Sequence, residues 1–222
     1  MNFNVILENE HFIAVDKPAG VLTTPSRLGK NEERPCLGTA LQEKMGRIYP
    51  IHRLDFEVSG LVMFARTPQA HTAAQKWWET RFVNKTYEAF SHDLNRGMPP
   101  RTWQNWQSKL LRGKRRAYES KIGRDALTQA QFNGVVVDSE KDRVLRWNLK
   151  PLTGRPHQLR YEMAKHGYPI LGDFMYGANE LVKPNLIALR AVRLDFRSLS
   201  DRVTWQIPEE LTVPSISLQD FI

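Results

Sequence analysis

The 222-residue chain is long enough to bury a core, as one domain or as two small ones, and its 41% hydrophobic and 25% charged content is that of a folded protein. No apolar run is long enough to span a bilayer, and the N-terminus lacks the basic and apolar blocks of a secretory signal. The lone Cys36 excludes an internal disulfide and a cysteine-built metal site, so a cytoplasmic location is expected, while the formal charge of +8 favours polyanionic partners.

The chain opens on strands. Val5-Ile6-Leu7 and Phe12-Ile13-Ala14-Val15 flank the polar turn Glu8 to His11, and Lys17-Pro18-Ala19-Gly20 places Pro and Gly as a tight turn requires. A short helix is predicted from Pro35 to Met45, with Gly46 just past its end. The apolar run Gly60 to Ala65 suits a buried strand. Thr67-Pro68 then opens a helix reaching about Phe82, with Ala70, Ala74, Trp77 and Trp78 turned to the core. Lys85 to Phe90 alternates as a strand does.

The middle reads as all-β: Trp103 to Leu111, Gln129 to Val137 and Val144 to Leu149, separated by a basic segment and by the turn Asp138 to Asp142. A helix follows from about Arg155 to His166, capped by Gly167. Pro169 to Tyr176 is a loop, and Leu186 to Phe196 and Val203 to Ile207 are the closing strands. With no repeat and no linker, the whole of residues 1–222 reads as one α+β domain with interleaved strands and helices.

The positive charge is concentrated. Lys109, Arg112, Lys114, Arg115, Arg116, Lys121 and Arg124 stand against the single acid Glu119, near Trp103, Trp106 and Tyr118. Such a stripe is the footprint of nucleic-acid binding, and equally the look of a solvated loop. Two short segments carry chemistry. His52-Arg53-Leu54-Asp55 sets a carboxylate beside a guanidinium in a turn before a buried strand, where an ion pair holding a loop is the ordinary explanation. Thr153-Gly154-Arg155-Pro156-His157-Gln158-Leu159-Arg160 is a polar loop entering a helix, richer in His, Gln and Arg than a cap requires. Neither segment fits a zinc, phosphate-loop or dinucleotide pattern.

Taken together these segments resemble the RluA family of pseudouridine synthases. The resemblance rests on Ala14-Val15-Asp16-Lys17-Pro18-Ala19-Gly20, His52-Arg53-Leu54-Asp55 with Ser59-Gly60, Lys85-Thr86-Tyr87-Glu88-Ala89, the segment Thr153 to Arg160, and Pro169-Ile170-Leu171-Gly172-Asp173, all in the family's order. It implies the pseudouridine synthase fold: an α+β domain with a bent, mostly antiparallel mixed sheet, flanking helices and a central catalytic cleft. It also implies an isomerase that turns specific uridines of ribosomal or transfer RNA into pseudouridine after flipping the base. Asp55 becomes the catalytic carboxylate and Arg160 its charge partner. Tyr87 lies against the target base, Leu159 packs beside the uracil, and Arg53 fills the space the base leaves. The basic stripe, not the resemblance, offers Lys114, Arg115 and Arg116 as contacts to the RNA backbone.

The reaction breaks a sugar–nitrogen bond and rejoins the uracil through carbon, with no atom gained or lost. No cofactor and no metal are therefore expected. RNA is the expected partner, with no membrane and no obligatory protein partner for a monomer. A non-catalytic RNA-binding module on the same fold would also explain the basic stripe, although Asp55, Tyr87 and Arg160 together speak against it. A hydrolase would want a second acid, for which Asp173 is the one candidate, in a loop that reads as structural. The chain departs from the family at Val58, where Thr is common, and at Leu189-Arg190-Ala191, where His is usual. It also begins at the catalytic domain, so RNA affinity is expected from that domain itself, with specificity in loops such as 93–101 and 112–124.

Overall fold

A computed structural model of the chain describes residues 3–27, 29–93, 97–138, 143–178 and 183–221. Residues 94–96 of the expected specificity loop and 139–142 of the expected turn lie outside the described residues. In chain order the elements are β1 (Asn4–Glu8), β2 (Phe12–Lys17), α1 (Leu37–Met45), β3 (Tyr49–Pro50), β4 (Ser59–Ala65), α2 (Pro68–Glu79) and β5 (Asn84–His92). There follow β6 (Gln104–Arg112), β7 (Ala117–Glu119), β8 (Arg124–Asp138), β9 (Arg143–Pro151), α3 (Gln158–Lys165), β10 (Leu189–Asp195) and β11 (Glu210–Thr212). The chain divides into two compact units, residues 1–84 with 191–214, and residues 85–190 with 215–222.

In the first unit β2 is the antiparallel neighbour of both β1 and β4. All seven residues of β4 are buried, as its uninterrupted apolar run predicts. Helix α2 starts where Thr67 and Pro68 place it: the Thr67 hydroxyl accepts the Ala70 N–H at 3.1 Å. It ends at Glu79, because Arg81 turns left-handed at φ 62°. Phe12, Leu61, Met63, Ala70, Ala74 and Trp77 form the core of this unit. Trp205 packs its ring edge against Trp77 and Phe12.

The second unit is an antiparallel sheet in the order β5-β9-β8-β6-β7, followed by helix α3. β9 pairs with β5 and β8, β8 with β6, and β6 with the short edge strand β7, all antiparallel. Trp147 is almost wholly buried at the centre, tilted against Trp106, Phe132 and Tyr168. The basic segment is thus partly strand, since β7 folds back on β6 and β8 begins at Arg124, five residues before the predicted start.

One expectation is overturned. Residues 203–207 are not a strand: 201–206 form turns, with Gln206 left-handed at φ 53°, and the final strand lies later, at β11 beside β10. The apolar Val203, Trp205 and Ile207 imitate strand alternation. Only Ile207 is fully buried, while Val203 is 76% exposed.

Candidate active site

Asp55 lies in the turn between β3 and β4, in the first unit, and it is half-buried. The turn is fixed through its backbone. The buried Thr23 hydroxyl accepts the Leu54 N–H at 3.1 Å and donates to the Leu54 carbonyl at 2.9 Å. Phe56 gives its carbonyl to the Gly20 N–H at 2.9 Å, and Val58 donates its N–H to the Asp55 carbonyl at 3.2 Å. His52 Nε2 accepts the Met63 N–H at 3.2 Å, and its ring stacks on Trp78 at 5.2 Å. Arg53 is exposed on the turn.

Lys17 sits beneath the same turn, fully buried. Its ammonium donates to the carbonyls of Pro18 and Val21 at 2.8 Å and of Phe56 at 3.5 Å. Burial pushes its pKa down to about 8, against the pull of the Asp55 and Glu57 carboxylates, which hold the proton on. Gly60, one residue into β4, has φ 111°, and a Cβ there would fall within 3 Å of the Ala191 backbone. Only glycine lets β4 and β10 approach so closely. The departure at Val58 is a buried apolar position, 3% exposed.

The second unit holds the remaining candidates. Tyr87, half-buried on β5, stands opposite Leu149 of β9. The segment 153–160 is held by its own side chains. Thr153 donates to Gln158 Oε1 at 2.7 Å and accepts the Leu127 N–H at 2.9 Å. Gln158 donates to the Leu127 carbonyl and the Thr128 hydroxyl, both at 2.9 Å, and accepts the Arg155 N–H at 3.0 Å. Both residues are buried and tie the loop to β8; this is the richness that exceeded a simple cap. His157 precedes α3 in a left-handed conformation, φ 51°.

Leu159 and Arg160 follow in the first turn of α3, both buried. Arg160 meets Asp173 as a fork: Nε to Oδ2 at 2.7 Å and Nη2 to Oδ1 at 2.8 Å, with the pair 3% and 1% exposed. Asp173 therefore holds the arginine, a structural task. The guanidinium also lies over the Tyr176 ring, 5.5 Å from its centroid. Lys114, Arg115 and Arg116 are exposed at the tip of the β6–β7 hairpin.

Sequence reasoning missed Thr23, which no pattern marks. Lys17, within Asp16-Lys17-Pro18, carries no sign in the sequence of its burial beneath the turn that holds Asp55. Sequence reasoning weighed Asp173 as a possible second acid and did not see it as the partner of Arg160.

The profile of the RNA pseudouridylate synthase family matches residues 11–165, more than half of the chain. The chain belongs to this family and is an isomerase that forms pseudouridine in RNA. Among its relatives is the dual-specificity RNA pseudouridine synthase RluA of Vibrio cholerae, 35% identical over 201 residues, which cover 87% of this chain and 76% of the relative. The protein of the same name from Escherichia coli K12 is 31% identical over 176 residues, 79% of this chain and 78% of the relative. The solved structure of human RNA Pseudouridylate Synthase Domain Containing 1 matches with a TM-score of 0.76 at 23% identity, over 100% of this chain and 86% of that one. The expected pseudouridine synthase fold is borne out. Among the described residues no helix is long and apolar enough to cross a membrane.

Proposed function

We propose that this synthase isomerises selected uridines in ribosomal RNA, transfer RNA or both, with Asp55 as its catalytic carboxylate. The observation that carries the reading is the turn around Asp55. Its backbone is fixed by Thr23 from outside the motif, while the aspartate side chain stays half-buried. A reacting group needs such fixing, because a misplacement of about 1 Å can cost two orders of magnitude in rate. The dual specificity that the relatives' names carry supports two classes of RNA.

In this reading the carboxylate acts on the flipped nucleoside while the detached uracil is kept from water. Tyr87 lies against the base, Leu159 packs beside it, Arg53 fills the vacated stack, and Arg160 is the charge partner of Asp55. Extruding the base costs a few kcal/mol in a duplex, which phosphate contacts at Lys114, Arg115 and Arg116 offset. The enzyme works as a monomer in the cytoplasm.

The test is tritium release from RNA labelled at carbon five of uracil. Wild type should release tritium, and Asp55→Asn should release none while folding normally. Release by the Asn variant would remove Asp55 from the chemistry. RNA binding without release by wild type would make the chain a binding module, and free uracil as product would make it a hydrolase. Mapping pseudouridines lost from ribosomal and transfer RNA on deletion of the protein identifies the substrate.

A further inference from the structure

We propose that the Tyr176 hydroxyl is a latch that holds the basic β6–β7 hairpin to the segment carrying His157 and Arg160, which makes Tyr176 a positioning residue for RNA. The inference rests on the reading that the hairpin tip contacts RNA phosphates. A hairpin that ends on a three-residue edge strand is marginally stable by itself. Its tip carries Lys114, Arg115 and Arg116 in succession, and their mutual repulsion favours splaying. Something must fix where those cations point.

The fixing point is Ala117, the first residue of β7, which is 2% exposed. Its N–H donates to Tyr176 Oη at 2.8 Å, and its carbonyl lies 3.2 Å from the same hydroxyl. Arg116 adds a second tie, donating from Nη1 to the Met175 carbonyl at 3.2 Å. Tyr176 is itself rigid. It closes the turn that starts at Asp173, with its N–H on the Asp173 carbonyl at 3.0 Å, and only 8% of it is exposed.

The same side chain reaches the motif segment. His157 Nδ1 is 3.2 Å from Tyr176 Oη, and the Arg160 guanidinium lies over the ring. His157 holds a left-handed backbone that a non-glycine residue keeps only when its surroundings enforce it. One hydroxyl thus joins a backbone pair of the hairpin to a strained residue of the motif. The hairpin cations, His157 and the Arg160–Asp173 pair become one pre-organised body. Phosphates met by that body lose less ordering entropy to the hairpin on binding.

The experiment is a double-mutant cycle between Tyr176→Phe, which keeps the ring over Arg160, and Lys114→Ala with Arg115→Ala. The substrate is tritiated ribosomal and transfer RNA from cells lacking the protein. Tyr176→Phe should raise the apparent KM about tenfold with kcat within about twofold, and should add little once both cations are gone. The salt dependence of RNA binding should flatten by up to about 1.5 in slope in either variant, as two phosphate contacts weaken. Hydrogen exchange at the Ala117 amide should quicken in Tyr176→Phe, with the α3 amides unchanged.

A Tyr176→Phe effect that persists in full without the cations, or that falls on kcat with KM unchanged, would overturn the latch. So would a Tyr176→Phe enzyme indistinguishable from wild type while the Lys114/Arg115 variant binds RNA poorly. If the double alanine variant itself leaves KM and salt slope untouched, the hairpin does not bind RNA, and the premise falls instead.

Discussion

The two segments that carry the candidate residues are immobilised in opposite ways. Around Asp55 the backbone is held by groups from outside the motif: Thr23 grips both polar groups of Leu54, and Lys17 and Gly20 take the Phe56 carbonyl. Around Arg160 the segment's own side chains do much of the holding, through Thr153 and Gln158, with the Asp173 fork added from outside it. The first arrangement fixes the turn through the backbone on either side of the aspartate. The second consumes most of its polar residues in anchoring, so a polar-rich motif is a poor count of chemical groups.

The largest break in the comparison should come from Asp173→Ala. It removes the forked carboxylate from a buried guanidinium, and losing one partner of a buried pair costs about 3–5 kcal/mol. Urea denaturation should show that loss. A cost under about 1 kcal/mol would mean that Arg160 is held by something other than the fork. The corresponding break in the first segment is smaller. Thr23→Val keeps the shape but leaves the Leu54 N–H and carbonyl without the hydroxyl, a cost of about 1–3 kcal/mol. Because it loosens the turn that carries Asp55, tritium release should fall more than stability does. Unchanged turnover would show that the turn needs no such grip.

Lys17 sharpens the comparison through pH. Its folded pKa of about 8 lies below its ordinary 10.5. Above pH 8 the folded chain sheds this proton before the unfolded chain does. The unfolded state then binds more protons, and stability rises with pH through that window. Wild type should gain on the order of 2 kcal/mol relative to Lys17→Met between pH 8 and pH 10, read by denaturant titration at each pH. Parallel curves for the two proteins would place the charge of Lys17 in a wetter setting than its exposure indicates.

What the sequence revealed divides along the same line. Elements with local causes were legible: the Thr67-Pro68 start of α2, the apolar β4, and the presence of a strand at β5. The motif residues were legible as an ordered set. The partners that fix them were not, because Thr23 meets Leu54 across 31 residues and Asp173 meets Arg160 across 13, with no periodicity linking them. Residues 203–207 misled because a turn can bury alternate apolar residues just as a strand edge does. His157 misled in another way: proline before it signalled a helix start at Arg155, but its left-handed backbone delays α3 to Gln158.

The smallest expected effect lies on the far side of α3, and its sign is what matters. Glu162 is fully buried, and neither carboxylate oxygen has a hydrogen-bond partner among the described residues. Burial pushes its carboxyl up, while the nearby Ser108 hydroxyl and Lys165 ammonium pull the other way. The folded chain therefore keeps this proton to higher pH than the unfolded chain, and the residue costs stability as pH rises past the usual carboxylate range. Next to it the His166 imidazole, 3.7 Å away, stacks on Trp106 and is itself pushed down by burial, so it offers a weak counter-charge at neutral pH. Glu162→Gln should thus raise stability at pH 7 by about 1 kcal/mol, roughly 2–4 °C in Tm, and leave it unchanged near pH 4. A loss of stability at pH 7 would mean that the carboxylate is held there as a charge, and that α3 depends on it much as Arg160 depends on Asp173.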